Sequence, residues 1–146
     1  MMVIRRFFLL FLLCFSSTIS AEQKKSFGPF DVHYSVVNST FISANTARIY
    51  HIVRGKDRAL VNIAIRKNLT DGSSKAQKAI VKGHSSDLMR ETPLQFLEII
   101  EQDAIYYIAE VKFYDEEIRH FFIDVQPDPN EPAFRLKFTQ TLYRDN

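Results

Sequence analysis

The sequence predicts an all-β domain, an immunoglobulin-like β-sandwich of about seven strands with one short helix. Three observations carry that prediction. Apolar and polar residues alternate with a period of two from Phe30 almost to the C-terminus. Clusters of turn-forming residues separate the alternating runs at short intervals. The chain is 146 residues long and 46% hydrophobic, enough for one apolar core and no obvious second one. A small barrel is the alternative arrangement of the same strands.

The first run places Phe30, Val32, Tyr34 and Val36 on one face, opposite Asp31, His33 and Ser35. One short helix is expected over Ala44–Tyr50, capped by Ser43 and free of Gly and Pro. The second run sets Ala59, Val61, Ile63 and Ile65 against Leu60, Asn62, Ala64 and Arg66. Asp71-Gly72-Ser73-Ser74 then forms a turn. Weaker strands are expected near 77–83 and 94–101; the latter carries apolar groups on both faces, as a central or interfacial strand does. Gln102-Asp103 links that strand to a strong one in a hairpin. In the strong strand Ile105, Tyr107, Ala109, Val111 and Phe113 oppose Tyr106, Ile108, Glu110, Lys112 and Tyr114. Asp115-Glu116-Glu117 reads as a further hairpin turn. Phe121, Ile123 and Val125 follow on one face, then a proline-rich loop over 127–132 that no sheet can pair, then Phe134, Leu136 and Phe138.

Residues 1–21 have the order of a secretory signal peptide. Arg5 and Arg6 precede an unbroken apolar run from Phe7 to Phe15, and a small, mostly polar stretch ends at Ala21. The apolar run is too short to span a bilayer, which takes about 20 residues. Cleavage is expected after Ala21, with 22–29 a linker and 30–146 a single domain. The processed chain has no cysteine, because Cys14 lies in the leader, and holds equal numbers of basic and acidic residues. It therefore depends on its core rather than on disulfides. A bacterial periplasm suits such a chain. No integral membrane segment is expected after processing. Nucleic acid is a poor partner for an exported chain of zero net charge. Residues 22–92 carry twelve basic and six acidic groups, and 93–146 carry five and eleven. Neighbouring strands that neutralise one another account for this more simply than a polarised surface does.

Candidate chemistry is sparse, and no catalytic residues and no cofactor are assigned. His33, His51, His84 and His120 show no local metal-site spacing, although His33 and His120 lie on separate strands that a fold can bring together. No nucleophile elbow, phosphate loop or dinucleotide glycine pattern is present. The paired carboxylates Glu116 and Glu117 fall in a turn, where they are expected to be solvated, whereas general acid–base work needs a desolvated carboxyl in a cleft. Candidate binding residues are Tyr34; Asn38, Ser39, Thr40 and Phe41, whose side chains suit a tight local turn; Tyr106, Tyr107 and Tyr114; and Gln140, which continues an inward parity. The outward tyrosines are covered by the short helix or left as a binding patch.

Val32-His33-Tyr34, Asn38-Ser39-Thr40-Phe41, Arg58-Ala59-Leu60-Val61-Asn62-Ile63, Asp103-Ala104-Ile105-Tyr106-Tyr107 and Phe138-Thr139-Gln140-Thr141-Leu142-Tyr143 together resemble domain-of-unknown-function family 4426. That family comprises short exported proteins, mainly gammaproteobacterial, and the likeness spans about Phe27 to Asp145. The resemblance implies a largely β periplasmic domain and no activity. The expected function is a non-catalytic binding or accessory module whose partner is an envelope protein or a small ligand. The alternatives are a metal-handling domain using His33 and His120, or a hydrolase without a visible motif.

Overall fold

A computed structural model describes residues 23–146; the predicted leader and its Cys14 lie outside the described residues. Ten strands and one short helix follow in order: β1 (Gln23–Phe27), β2 (Phe30–Asn38), α1 (Ala44–Ile49), β3 (Arg58–Asn68), β4 (Ser74–Ala76), β5 (Ile80–Ser86), β6 (Glu91–Leu94), β7 (Leu97–Glu101), β8 (Ala104–Lys112), β9 (Glu117–Gln126) and β10 (Phe134–Leu142). One sheet has the order β1-β2-β3-β8-β7, with β4 on the far part of β3; the other has the order β10-β9-β5-β6. All pairs are antiparallel. The inner path β2-β3-β8-β7 against β10-β9-β5-β6 is the Greek-key order of an immunoglobulin-like sandwich. No helix among the described residues is long and apolar enough to cross a membrane.

The alternation read in the sequence is the core. Ala59, Val61, Ile63 and Ile65 of β3 and Phe121, Ile123 and Val125 of β9 are fully buried and meet between the sheets, with Val32, Ala109, Val111 and Leu136 around them. Phe121 and Phe138 stack at 4.8 Å, and Tyr34 lies 4.6 Å from Phe138. Within the second sheet, β5 lies so close to its neighbour β9 that Gly83 tolerates no side chain. A Cβ there would stand 2.4 Å from the Phe122 carbonyl oxygen on β9.

Four expectations need correction. Residues 23–27 are not a linker but edge strand β1, paired to β2 and anchored by Phe27, which stacks on Phe134 at 5.0 Å. Gln-Lys-Lys-Ser lacks apolar alternation because an edge strand is held by backbone bonds, not by burial. The weak strand near 77–83 is shifted to Ile80–Ser86, with short β4 before it. The two-faced apolar run 94–101 is not one strand. β6 and β7 belong to opposite sheets, and the chain crosses between them at Gln95-Phe96. Pro93 is accommodated because β6 is an edge. Lastly, Asp115-Glu116 does not close a hairpin, because β8 and β9 lie in different sheets; it turns the chain across the end of the sandwich.

The helix forms where expected. The Ser43 hydroxyl accepts the Thr46 N–H at 3.1 Å, a cap worth about 1 kcal/mol. His51, in the left-handed region at φ 57°, ends it. The segment 39–57 straps the outer face of the first sheet: the Tyr50 hydroxyl bonds the Glu101 carboxylate on β7, and the Val53 N–H donates to Glu110 on β8 at 2.9 Å. Leu60 and Ile99 point outward by parity yet are buried under this strap.

Gly83→Ala is expected to cost about 1–3 kcal/mol, because the new methyl collides with backbone rather than with a movable side chain. Thermal unfolding followed by circular dichroism would show a midpoint lower by about 4 °C or more. An unchanged midpoint would contradict the close approach of β5 and β9.

Candidate functional site

At the end of the sandwich where β8 runs into β9, the two sheets part. A cleft of about 650 Å³ opens between β6 and β8. One wall comes from Glu110 to Tyr114 at the end of β8, and the other from the β5–β6 turn and β6, through Asp87, Arg90 and Leu94. Arg119 at the start of β9 and Arg144 just after β10 complete it.

Arg119 lies at an inward position of β9, in line with Phe121, Ile123 and Val125, and only 5% of it is exposed. A buried guanidinium needs a full set of acceptors. Its Nη2 forms an ion pair with the buried Glu117 carboxylate and donates to the Lys112 carbonyl at 3.1 Å. Nη1 donates to the Ser85 hydroxyl at 3.2 Å. Nε is buried without a partner among the described residues. The other Glu117 oxygen accepts the Tyr114 N–H at 2.6 Å, so this pair also fixes the β8–β9 turn.

The β5–β6 turn is built for rigidity. The Asp87 carboxylate accepts the N–H groups of Met89 at 3.0 Å and Arg90 at 2.9 Å, and the Ser86 hydroxyl accepts that of Leu88 at 3.2 Å. These backbone bonds, from Arg90 first and then Met89, hold the Asp87 carboxyl below the usual range. Leu88 sits at φ 73°, a region glycine favours and a branched side chain occupies at a cost of about 1–2 kcal/mol. The result is a turn that presents Leu88 at 82% and Met89 at 87% exposure beside the cleft. Tyr114, 71% exposed, stands on the opposite wall.

Of the residues singled out in the sequence, only Tyr114 lines this cleft. Tyr34 is half-buried and packs on the core. Tyr107 is buried; its hydroxyl donates to Glu98 and accepts the Ala79 N–H, each at 2.9 Å, and burial pushes its phenol pKa up. Tyr106 is half-buried beside His33 in a shallow recess. Asn38, Ser39 and Thr40 are not a local turn device. Asn38 donates to the Tyr143 carbonyl at 2.9 Å and to Asp145 at 2.7 Å, and the Thr40 hydroxyl also bonds Asp145. Ser39, fully buried, bonds Gly55 through both N–H and carbonyl. Together they fasten the strap and the C-terminal tail, while Phe41 is 80% exposed. Gln140 is half-buried and bonds only the neighbouring Thr141 carbonyl at 3.3 Å, outside the cleft. His33 and His120 are not brought together. They face outward from opposite sheets, His120 bonded to Thr139 at 2.8 Å. Among the described residues no three His, Cys, Asp or Glu side chains converge on one point.

Sequence reasoning missed Arg119, Arg90 and Arg144. Only Arg119 left a signal: it is a charge at an inward position of a strand whose next three inward residues are apolar. The opposite charges of the two chain halves do interleave, as in Lys78–Glu98 at 3.5 Å and Asp57–Lys112 at 3.8 Å.

Fold and site define an immunoglobulin-like β-sandwich with an open cleft at one end. The sequence matches the family described as Domain of unknown function (DUF4426) over residues 24–145, and the chain belongs to that family. The crystal structure of a DUF4426 family protein from Pseudomonas aeruginosa PAO1 is similar at 32% identity and a TM-score of 0.75, covering 86% of this chain and 97% of that one. Two structures of FetP from uropathogenic Escherichia coli strain F11 share the fold. FetP as isolated, recombinantly expressed in the periplasm of E. coli, aligns with a TM-score of 0.59 at 11% identity, over 86% of this chain and 96% of that one. A copper-bound variant of FetP aligns with a TM-score of 0.60 at 9% identity, over 85% and 96%. No curated protein matches the chain at a significant level.

Two outcomes follow from the site. Arg119→Met should destabilise by about 3–5 kcal/mol in denaturant unfolding, because it strands the Glu117 carboxylate; adding Glu117→Gln should recover part of that loss. If the double substitution is no better than the single one, the pair is not what holds this end. Asp87 has a folded-state pKa below its unfolded value. Its bonds to the turn are therefore complete above the ordinary carboxylate range and are lost as pH falls through the lowered value. The Met89 and Arg90 amide resonances should stay in place from neutral pH down to about pH 4 and move below it. Movement at higher pH would contradict the assignment.

Proposed function

We propose that this chain is an exported periplasmic recognition module that binds its ligand in the end cleft without transforming it. The observation that carries this reading is the strained β5–β6 turn. Backbone strain at a non-glycine residue persists where the surroundings enforce it, and such sites concentrate at binding surfaces. Here Asp87 and Ser86 enforce it, and its product is two exposed apolar side chains at the mouth of a cleft. Loops at one end of an immunoglobulin-like sandwich are where that fold carries recognition.

Non-catalytic binding is favoured by how the cleft's acidic groups are used. Asp87 and Glu110 accept backbone N–H groups, Asp57 lies beside Lys112 and Glu91 is exposed, so none is a desolvated carboxyl poised for proton transfer. Export is supported by the leader-like order of residues 1–21 and by the fold shared with FetP.

Fractionation of cells expressing the full chain should place it in the periplasm with Glu22 as its first residue; retention in the cytosol would refute export. Periplasmic small-molecule extract, titrated into isotope-labelled processed protein, should perturb Leu88, Met89, Arg90 and Tyr114. Stoichiometric copper bound with no response in the cleft would replace this reading with metal handling. Leu88→Gly should leave stability unchanged or higher by up to about 1 kcal/mol, since it relieves the left-handed strain, yet weaken the response to the extract.

A further inference from the structure

We infer that the ligand of the end cleft is an organic carboxylate with an apolar body, and that Arg144 receives its charged end. The inference rests on the reading of the cleft as a binding site and adds the ligand's chemical class.

The cleft holds acids and bases in equal number, so its net charge selects nothing. What selects is which charges are already used. Asp87 accepts two turn N–H groups and lies 3.8 Å from Arg90. Asp57 lies 3.8 Å from Lys112, and Glu91 lies 3.8 Å from His84. Glu110 accepts the Val53 N–H. Arg119 is paired with Glu117. The Arg144 side chain, by contrast, makes no hydrogen bond or ion pair among the described residues, although it lines the cleft.

Arg144 is also well rooted. Its own N–H donates to Asp115 at 2.9 Å, and the next residue, Asp145, is fastened to Asn38 and Thr40. A guanidinium on an anchored backbone loses less freedom on binding than one on a loose tail. Its planar fork matches a carboxylate with two parallel bonds. Arg119, which also lines the cleft, retains a buried Nε–H without a partner among the described residues.

One feature argues for an organic carboxylate rather than inorganic phosphate. Apart from Thr92 and the charged groups, the wall is apolar: Leu94, Val111, Phe113 and Tyr114 line it, with Leu88 and Met89 at the rim. Such a surface gains from an aliphatic or aromatic body and offers nothing to a bare inorganic anion.

The same chemistry is carried by a free organic acid and by a peptide C-terminus. Processed protein should be titrated by calorimetry and by NMR with 3-phenylpropionate, with N-acetyl-alanyl-phenylalanine, with the amide of that dipeptide, and with inorganic phosphate. Binding of a carboxylate probe that shifts the Arg144 Nε–H and Tyr114 signals is expected. Arg144→Gln should weaken it by about tenfold or more with an unchanged melting midpoint. The amide should bind weaker by a similar factor, and phosphate weaker still. Tighter binding of the dipeptide assigns a peptide C-terminus; tighter binding of 3-phenylpropionate assigns a free acid. Equal binding of acid and amide, or full affinity in Arg144→Gln, overturns the carboxylate while leaving the cleft a binding site. Phosphate binding as tight as that of the carboxylates overturns it in favour of a general anion site. Failure of every carboxylate probe overturns it as well, and the response to periplasmic extract then decides separately whether the cleft binds at all.

Discussion

Two sheets can share one apolar layer only if every strand keeps its inward parity. The whole domain obeys that constraint. β3 supplies Ala59, Val61, Ile63 and Ile65, and β9 supplies Phe121, Ile123 and Val125. A one-residue slip in either strand would turn all of them toward water. Without a cysteine in the described residues, nothing covalent holds the layers together. Within the second sheet, the approach of β5 to β9 at Gly83 leaves no room for a side chain.

The same parity explains where the sandwich stops being a sandwich. One step beyond Phe121 in the inward series stands Arg119, and a guanidinium cannot pack as a phenyl ring does. It is tolerated because Glu117, Ser85 and the Lys112 carbonyl surround it. That polar plug ends the apolar layer, lets the sheets part and gives the cleft its floor. An ion pair in this position contributes less to stability than well-packed apolar groups do. Its presence keeps this end of the sandwich polar.

Elsewhere the molecule invests its polar side chains in fastening. The strap over the first sheet hides Leu60 and Ile99, which would otherwise be an exposed apolar face, and it does so through Tyr50, Val53 and the buried Ser39. Asn38 and Thr40 reach more than a hundred residues along the chain to hold Asp145. The tail is thereby fixed beside the cleft, with Arg144 in place. These residues support the site without lining it. The reach from Asn38 to Asp145 is invisible to a reading that looks for partners nearby in the chain.

The sequence determined which residues face inward on β2, β3, β8, β9 and β10, because burial of one sheet face imposes a period of two that survives in the order of residues alone. It also determined the short helix, since Ser43 caps through a bond three residues away, and the hairpin at Gln102-Asp103. All of these are local. Tertiary structure alone decided that β1 is a strand, because an edge is recruited by a neighbour's backbone and leaves no apolar trace. It decided that 94–101 passes from one sheet to the other, which is why both its faces are apolar. It separated His33 from His120, since alternate residues on opposite sheets point away from each other. It also assembled the cleft from β6, β8, β9 and the tail, four segments that meet only when both sheets close, so no spacing in the chain announces it.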